Sequence, residues 1–500
     1  MLLPSAHAPA ILHARGRNAD NLDVLLAMLT LPVSAHALAQ LPQSSRWREL
    51  HARAAAKSGT VRSTLLGNRR HTLAVLGYLK PDASAFERLS LAGRMLKEAA
   101  GRAPQSVGLA ATGSGKSGEA ALEALLAATL THAFALPSFR ATERGEHRIS
   151  RIFLMGAPGF DPHYEATVGA GTNLVRWLTA LPPNVLDAAG YRSAITRLAR
   201  RHSLGLRWLD ERALKRLGAN AFLAVAAANQ QAGAGIAHLS YRPARAASSS
   251  APAVALIGKG ILFDTGGVNL KTHRSMLDMH TDMSGSAVAL ATLIALAELR
   301  APFAADAWLA ITENRIGPHG YKPQDVIRAA NGVTIQVIHS DAEGRMVLAD
   351  TLALAGRTRP RFMIDFATLT GACVYALTER MSGVFTNREA LVPKLVEAGR
   401  LSGERVWNFP FAEDYDADIE SKVADVVQCA VEGKGDHIHA TRFLSRFVPA
   451  HTPWAHVDLA SATRSGGLAH VTTDVTGFGV RFALELLLKQ NLLAELGKSG

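Results

Sequence analysis

Two carboxylates stand two residues apart in His339-Ser340-Asp341-Ala342-Glu343-Gly344-Arg345, between a β-rich run (Val333 to Ile338) and a helical one (Met346 to Leu354). At the carboxyl end of a strand such a pair can point into one crevice and share hard cations. Arg345 beside them suits an anion gripped next to metals better than an isolated surface ion pair. Taken alone, the segment reads equally well as a solvated turn capping a helix. A second cluster tips the balance. It runs Gly258-Lys259-Gly260-Ile261-Leu262-Phe263-Asp264-Thr265-Gly266-Gly267-Val268-Asn269-Leu270-Lys271, then Met276, Met279 and Asp282-Met283-Ser284-Gly285. Charges placed between apolar elements are costly unless paired or metal-bound. Asp264, Asp282, Asp341 and Glu343 together offer oxygen ligands for two divalent cations, with some carboxylates bridging. A lysine joins such a shell only as a neutral amine, which a neighbouring dication favours by depressing its pKa.

Both clusters resemble the leucyl aminopeptidase family of two-metal exopeptidases. The family motifs read GKGITFDSGG-x-x-LK, DM-G-G and NTDAEGR, and this chain matches them at Lys259, Asp264, Lys271, Asp282, Asp341, Glu343 and Arg345 with intact spacing. Further matches are Leu181-Pro182-Pro183-Asn184, a strand-like Ala221-Phe222-Leu223-Ala224-Val225, the loop Ala367-Thr368-Leu369-Thr370-Gly371-Ala372, Trp454-Ala455-His456-Val457-Asp458 and Thr476-Gly477-Phe478-Gly479-Val480. The resemblance covers about residues 165–490. Three departures stand out: Ser284 replaces a glycine, His339 precedes the metal carboxylates, and His280 lies two residues before Asp282.

The resemblance implies removal of the N-terminal residue, leucine-like for preference, from peptides with a free N-terminus. It implies two divalent ions, zinc or manganese first and magnesium or cobalt also acceptable. Asp264 and Glu343 would bridge them, Asp282 and Lys259 would complete the tighter site, and Asp341 the more exchangeable one. Lys271 and Arg345 would be catalytic, the first balancing oxyanion charge and the second holding a bicarbonate-like anion that carries protons. Met279, Thr368, Leu369 and Gly371 would line the substrate slot, and the family assembles as homohexamers.

Positioning these groups requires strands that end at one edge. Apolar strands and helices alternate from Val254–Ile257 through a helix at 286–299, Ala304–Ile311, Val333–Ile338, a helix at 346–356 and Phe362–Phe366. That alternation predicts an α/β fold with a mostly parallel central sheet, helices on both faces, and ligands at the strand ends. Residues 1–160 mix short strands (72–79, 106–111, 151–155) with alanine-rich helices (85–100, 119–134) and read as a smaller α/β domain before a catalytic domain at 161–500. Arg242 to Pro252, rich in Ala, Ser, Arg and Pro, reads as a surface loop.

Composition narrows the remaining classes. With 500 residues, 48% of them apolar, the chain is ample for sizeable cores. No uninterrupted apolar run reaches the ~18 residues of a membrane helix, and the start lacks the pattern of a secretory signal. Two cysteines, Cys373 and Cys429, make no disulfide framework, which points to the cytoplasm. The net charge of +12 is uneven, with nineteen Lys/Arg against ten Asp/Glu in residues 1–160. Solvated helix faces account for that excess at least as well as nucleic acid does. Ala110-Ala111-Thr112-Gly113-Ser114-Gly115-Lys116-Ser117 resembles a phosphate-cradling loop without its leading glycine or a magnesium-binding Asp, and reads as a helix cap. A DNA-binding or nucleotide-binding regulatory role through the N-terminal part is the alternative reading. His437-Ile438-His439 lacks metal-site spacing and reads as a polar loop, and His456 as a hydrogen-bonded core histidine.

Overall fold

A computed structural model describes residues 2–4, 8–14, 19–53, 56–112, 115–141, 149–229, 233–244 and 251–496. The first sheet comprises β1 (Ala10–Ala14), β2 (Val24–Thr30), β3 (Val61–Leu65), β4 (Leu73–Leu79), β5 (Ser106–Ala111) and β6 (Arg151–Met155). They lie in the order β1-β6-β5-β2-β4-β3, all pairs parallel except β3 with β4. Helices Ala85–Ala99 and Lys116–Ala133 bury one face of that sheet. The other face is covered from Leu38, Leu41 and Trp47. Ser84 and Glu87 form a reciprocal capping box that fixes where the Ala85–Ala99 helix starts.

The second sheet comprises β7 (Gly205–Asp210), β8 (Gly235–Tyr241), β9 (Val254–Asp264), β10 (Ala305–Asn314), β13 (Phe362–Ala367), β14 (Ser382–Thr386), β15 (Val406–Asn408) and β17 (Trp454–Asp458). Its order is β15-β14-β17-β13-β9-β10-β8-β7, and the central strands β17, β13, β9 and β10 run parallel. A separate three-stranded sheet joins β11 (Val326–Arg328), β12 (Thr334–Gln336) and β16 (Val426–Val427). The Ser284–Glu298 helix covers one face of the large sheet and the Glu343–Gly356 helix the other. Both are buried nearly all round: the first is apolar along most of its length, and the second buries Glu343, Arg345 and Asp350 among its apolar residues. The predicted α/β class with parallel central strands is what the chain adopts.

Several elements differ from the sequence reading. Ala221–Val225 is no strand but part of the Asn220–Ala226 helix. The buried Asp350 carboxylate accepts the Phe222 amide at 2.8 Å and that of Ala330 at 2.7 Å, satisfying the start of this helix from outside it. Val333–Ile338 shrinks to β12 and pairs with β11 and β16, outside the central sheet. His437 and His439 sit in the Asp436–Ser445 helix instead of a loop. His456 is the buried, hydrogen-bonded histidine that was expected, with Nδ1 2.7 Å from Asp365 Oδ1. Residues 245–250 of the expected surface loop, and Gly113 and Ser114, lie outside the described residues.

Candidate active site

The charged cluster assembles at the carboxyl end of β9. Lys259 lies within the strand and Asp264 ends it, five positions apart. Side chains alternate along a strand, so an odd separation should send the two to opposite faces. The register removes the conflict: Thr312 pairs with Ile261, but Asn314 pairs with Asp264, leaving one extra residue in β9. This bulge turns Asp264 to the side of Lys259 and sets Asn314 beside it. Asn314 Nδ2 then donates to Asp264 Oδ1 at 2.8 Å, to the Ser340 carbonyl at 3.1 Å and to Glu343 Oε2 at 3.4 Å.

Two loops close over the strand end. After Asp264 the chain turns through Gly266 and Gly267, with φ of +88° and +66°, where side chains are disfavoured. Ser340 locks this turn to the Asp341 segment: its Oγ donates to the Gly266 carbonyl at 2.6 Å and accepts the Asn269 amide at 2.8 Å. Tyr321 donates to the Ser340 carbonyl at 2.6 Å. Gln428 holds the other side, accepting the Ile338 and His339 amides and donating to the Ala342 carbonyl at 2.9 Å. Asp341 is thereby fixed just before the Glu343–Gly356 helix, which Glu343 begins.

The cluster combines four carboxylates with two lysines. Lys259 Nζ lies 2.8 Å from Asp282 Oδ1, 2.9 Å from Glu343 Oε1 and 2.9 Å from the Thr368 carbonyl, the full complement of an ammonium. Lys271 Nζ lies 2.9 Å from Asp264 Oδ2 and 2.5 Å from Asp341 Oδ1. Thr368 Oγ1 donates to Asp282 Oδ1 at 2.7 Å. A Cβ at Gly344 would come 2.6 Å from Lys259 Cε, so the lysine stem needs this glycine. Burial pushes the Asp282 and Glu343 carboxyls up to about 7, against the pull of the lysines, and Asp341 up to about 6. Burial also works against the Lys259 ammonium, yet Asp282, Glu343 and Asp264 together hold its pKa above the ordinary value.

These residues fit a pair of divalent cations. Oxygens of Asp264, Asp341 and Glu343 all lie within 4.8 Å of one another. Asp282 Oδ2 is buried without a hydrogen-bond partner among the described residues. Carboxylates crowded enough to retain protons near neutrality are relieved by added positive charge. A lysine amine neutral enough to coordinate needs the same neighbour.

The remaining expected residues fall around this centre. Thr368 touches it directly. The Leu369 amide is held by Asp458 Oδ1 at 3.1 Å, and Thr370 Oγ1 by Asp458 Oδ2 at 2.6 Å. Gly371 opens the Gly371–Leu377 helix in an exposed position, and Met279 is half-buried in a short turn before Asp282. Ser284 is buried, its Oγ without a hydrogen-bond partner among the described residues, and the next position is tight: a Cβ at Gly285 would lie 2.1 Å from the Phe366 carbonyl. His339 Nδ1 accepts the Asp341 amide at 3.3 Å. Arg345 is buried and already engaged. Its Nη2 lies 2.9 and 2.7 Å from the two oxygens of Asp436, and its Nη1 donates to the Gln428 carbonyl at 3.2 Å.

Asn314, Ser340, Gln428, Asp436 and Asp458 escaped the sequence reading. Asn314 and Asp458 carried a signal, each a polar residue ending a buried strand, and Asp458 closes one of the matched segments.

Known proteins resemble this chain in sequence and in fold. The model of the cytosol aminopeptidase family's catalytic domain matches residues 173–484. A protein named "Probable cytosol aminopeptidase" from Chlorobaculum tepidum is 39% identical over 321 residues, covering 64% of this chain and 63% of its own length. A Synechococcus protein of the same name is 35% identical over 437 residues, covering 84% of this chain and 85% of its own. Among solved structures, a mutant of tomato leucine aminopeptidase superposes with a TM-score of 0.84 at 27% identity, covering 97% of this chain and 98% of that one. The bottromycin maturation enzyme BotP in complex with Mn gives 0.82 at 27% identity, with coverages of 94% and 99%.

Proposed function

The chain belongs to the cytosol aminopeptidase family, and from this we propose that it is a metal-dependent aminopeptidase acting on peptides with a free N-terminus. The observation that carries the reading is the convergence of Asp264, Asp341 and Glu343 oxygens within 4.8 Å of one another, with Lys259 and Lys271 against them.

Asp264 and Glu343 would each face both cations, Asp282 and Lys259 would serve one of them and Asp341 the other. When bound, such a pair supplies Lewis acidity toward the scissile carbonyl and a lowered pKa for water. Oxygen ligands with one amine suit several metals. The manganese named with the bottromycin enzyme supports manganese, and zinc is the second candidate. Lys271, with about 14% of its side chain exposed, is the more exposed of the two lysines and would balance negative charge on the carbonyl oxygen. Thr368 and Asp458 fix the wall of the slot in which Leu369, Gly371 and Met279 would meet the first side chain of the substrate.

The same reading includes a catalytic unit at 161–500 preceded by a smaller one at 1–160, assembly as a homohexamer, and a cytoplasmic location. Among the described residues no helix is long and apolar enough to cross a membrane.

The test is a panel of amino-acid amides assayed after exhaustive chelation and again with manganese or zinc restored. Turnover should vanish and return, with leucine-like residues among the better substrates. Full activity in metal-free protein overturns the proposal.

A further inference from the structure

Arg345 follows Glu343 by two residues on the first turn of the Glu343–Gly356 helix, and only about 2% of it is exposed. A guanidinium so buried requires a partner anion. The chain supplies one: both carboxylate oxygens of Asp436 lie on Nη2, and the Gln428 carbonyl takes Nη1. Only Nε remains without a partner among the described residues. Fork-like recognition of an anion needs two free nitrogens on one edge of the guanidinium, and neither edge now offers them.

We propose that Asp436 is the anion held by Arg345, a carboxylate built into the chain where family resemblance would place dissolved bicarbonate, so that this site works without an added anion. The inference rests on the aminopeptidase reading of the neighbouring cluster. Asp436 acts through Arg345 and is therefore a positioning residue. Its place suits a permanent charge. Asp436 is the first residue of the Asp436–Ser445 helix, where the aligned peptide dipoles favour an anion. Burial raises its pKa, but Arg345 beside it, then His439 and His437, hold the carboxyl below the usual carboxylate range. About a quarter of the side chain is exposed, so a small anion could enter from solvent once the carboxylate was removed.

The experiment pairs anion binding with turnover, both in decarbonated buffer. Wild type, Asp436→Ala and Asp436→Asn are titrated calorimetrically with sodium formate and sodium bicarbonate, then assayed with manganese and a leucine amide. Wild type should show no saturable binding heat and no gain from either anion. Asp436→Ala should lose on the order of 10- to 100-fold in turnover, the scale of a misplaced catalytic group. It should also bind formate and recover most of its rate in its presence. Asp436→Asn, which fills the space without charge, should be slowed and stay slow. A purely structural role would give no rescue. Bicarbonate binding to wild type, undiminished turnover in Asp436→Ala, or absence of rescue each overturns the proposal. If Asp436→Ala does not fold, the wild-type titration decides alone. Wild type silent toward every amide would sink the aminopeptidase reading, while the titration would still report where Arg345 finds its anion.

Discussion

Two sheets of this chain present the carboxyl ends of parallel strands, and the two edges are chemical opposites. Beyond β9 the edge carries four carboxylates and two lysines within hydrogen-bonding distance of one another. Beyond β5 and β6 the edge borders a cavity of about 450 Å³ lined by Leu25, Leu41, Ala110, Met155, His36 and Gln40, with no cluster of carboxylates among the described residues. There Lys116 is exposed at the start of its helix, which has no side-chain cap. Topology gives both sheets a crevice. Among the described residues, only the second sheet fills it with charges that burial forces to share protons or cations.

The comparison is tested most severely at Glu343, the residue proposed to serve both cations. Glu343→Ala should abolish turnover and weaken metal binding by more than about a hundredfold, read from metal content after dialysis. Retention of metal by this variant would mean that the acidic edge is an ion-pair network and nothing more. Lys271→Ala separates charge from ligation. It should keep its metals and lose on the order of 10²–10³ in rate, as when one oxyanion donor is removed. Loss of metal in that variant as well would erase the division of roles.

Acidity sharpens the contrast. The Asp282 and Glu343 carboxyls, raised by burial to about 7, and Asp341, raised to about 6, hold protons that a cation must displace. Metal affinity should therefore fall as pH drops from 7 to 5, about tenfold per unit for each proton displaced. Calorimetry in buffers of different ionisation heat would count those protons, and a pH-independent affinity contradicts the picture. Asp23, just before β2 of the first sheet, has the opposite shift: burial raises its pKa, but hydrogen bonds from Ser106 and Gln105 and the Arg70 contact bring it below the ordinary value. The smallest effect belongs to Lys116→Ala, which should leave turnover and metal content unchanged. Micromolar binding of ATP with magnesium to the wild type that disappears in Lys116→Ala would make the first edge a nucleotide site after all.

The charged cluster was legible in the sequence because its residue types and spacing are local: Lys259 to Lys271 and Asp341 to Arg345 are short segments whose chemistry is costly without a purpose. The parallel core was legible from the alternation of apolar runs. What stayed hidden depends on distant partners. Ala221–Val225 is too short and too apolar for its period to separate helix from strand, and the acceptor that settles it, Asp350, comes from 128 residues away. Val333–Ile338 has the composition of a strand, but nothing local says which sheet it joins. Asp436 follows a stretch of glycine and lysine that signals only a turn. Its meaning appears when the fold brings it to Arg345, 91 residues away.

The extra residue in β9 bears on how this site could change over time. Lys259 and Asp264 share a side of the strand because three steps in β9, from Ile261 to Asp264, are matched by two in β10, from Thr312 to Asn314. One residue gained between Thr312 and Asn314 would restore even pairing and, by simple alternation, turn the Asp264 carboxylate to the face opposite Lys259, while leaving every candidate ligand in the sequence. Drift in side-chain identity along this strand pair is thus easier to absorb than a single in-frame codon gained in β10, and a gene alignment that shows all the candidate ligands can still describe a protein in which they do not meet.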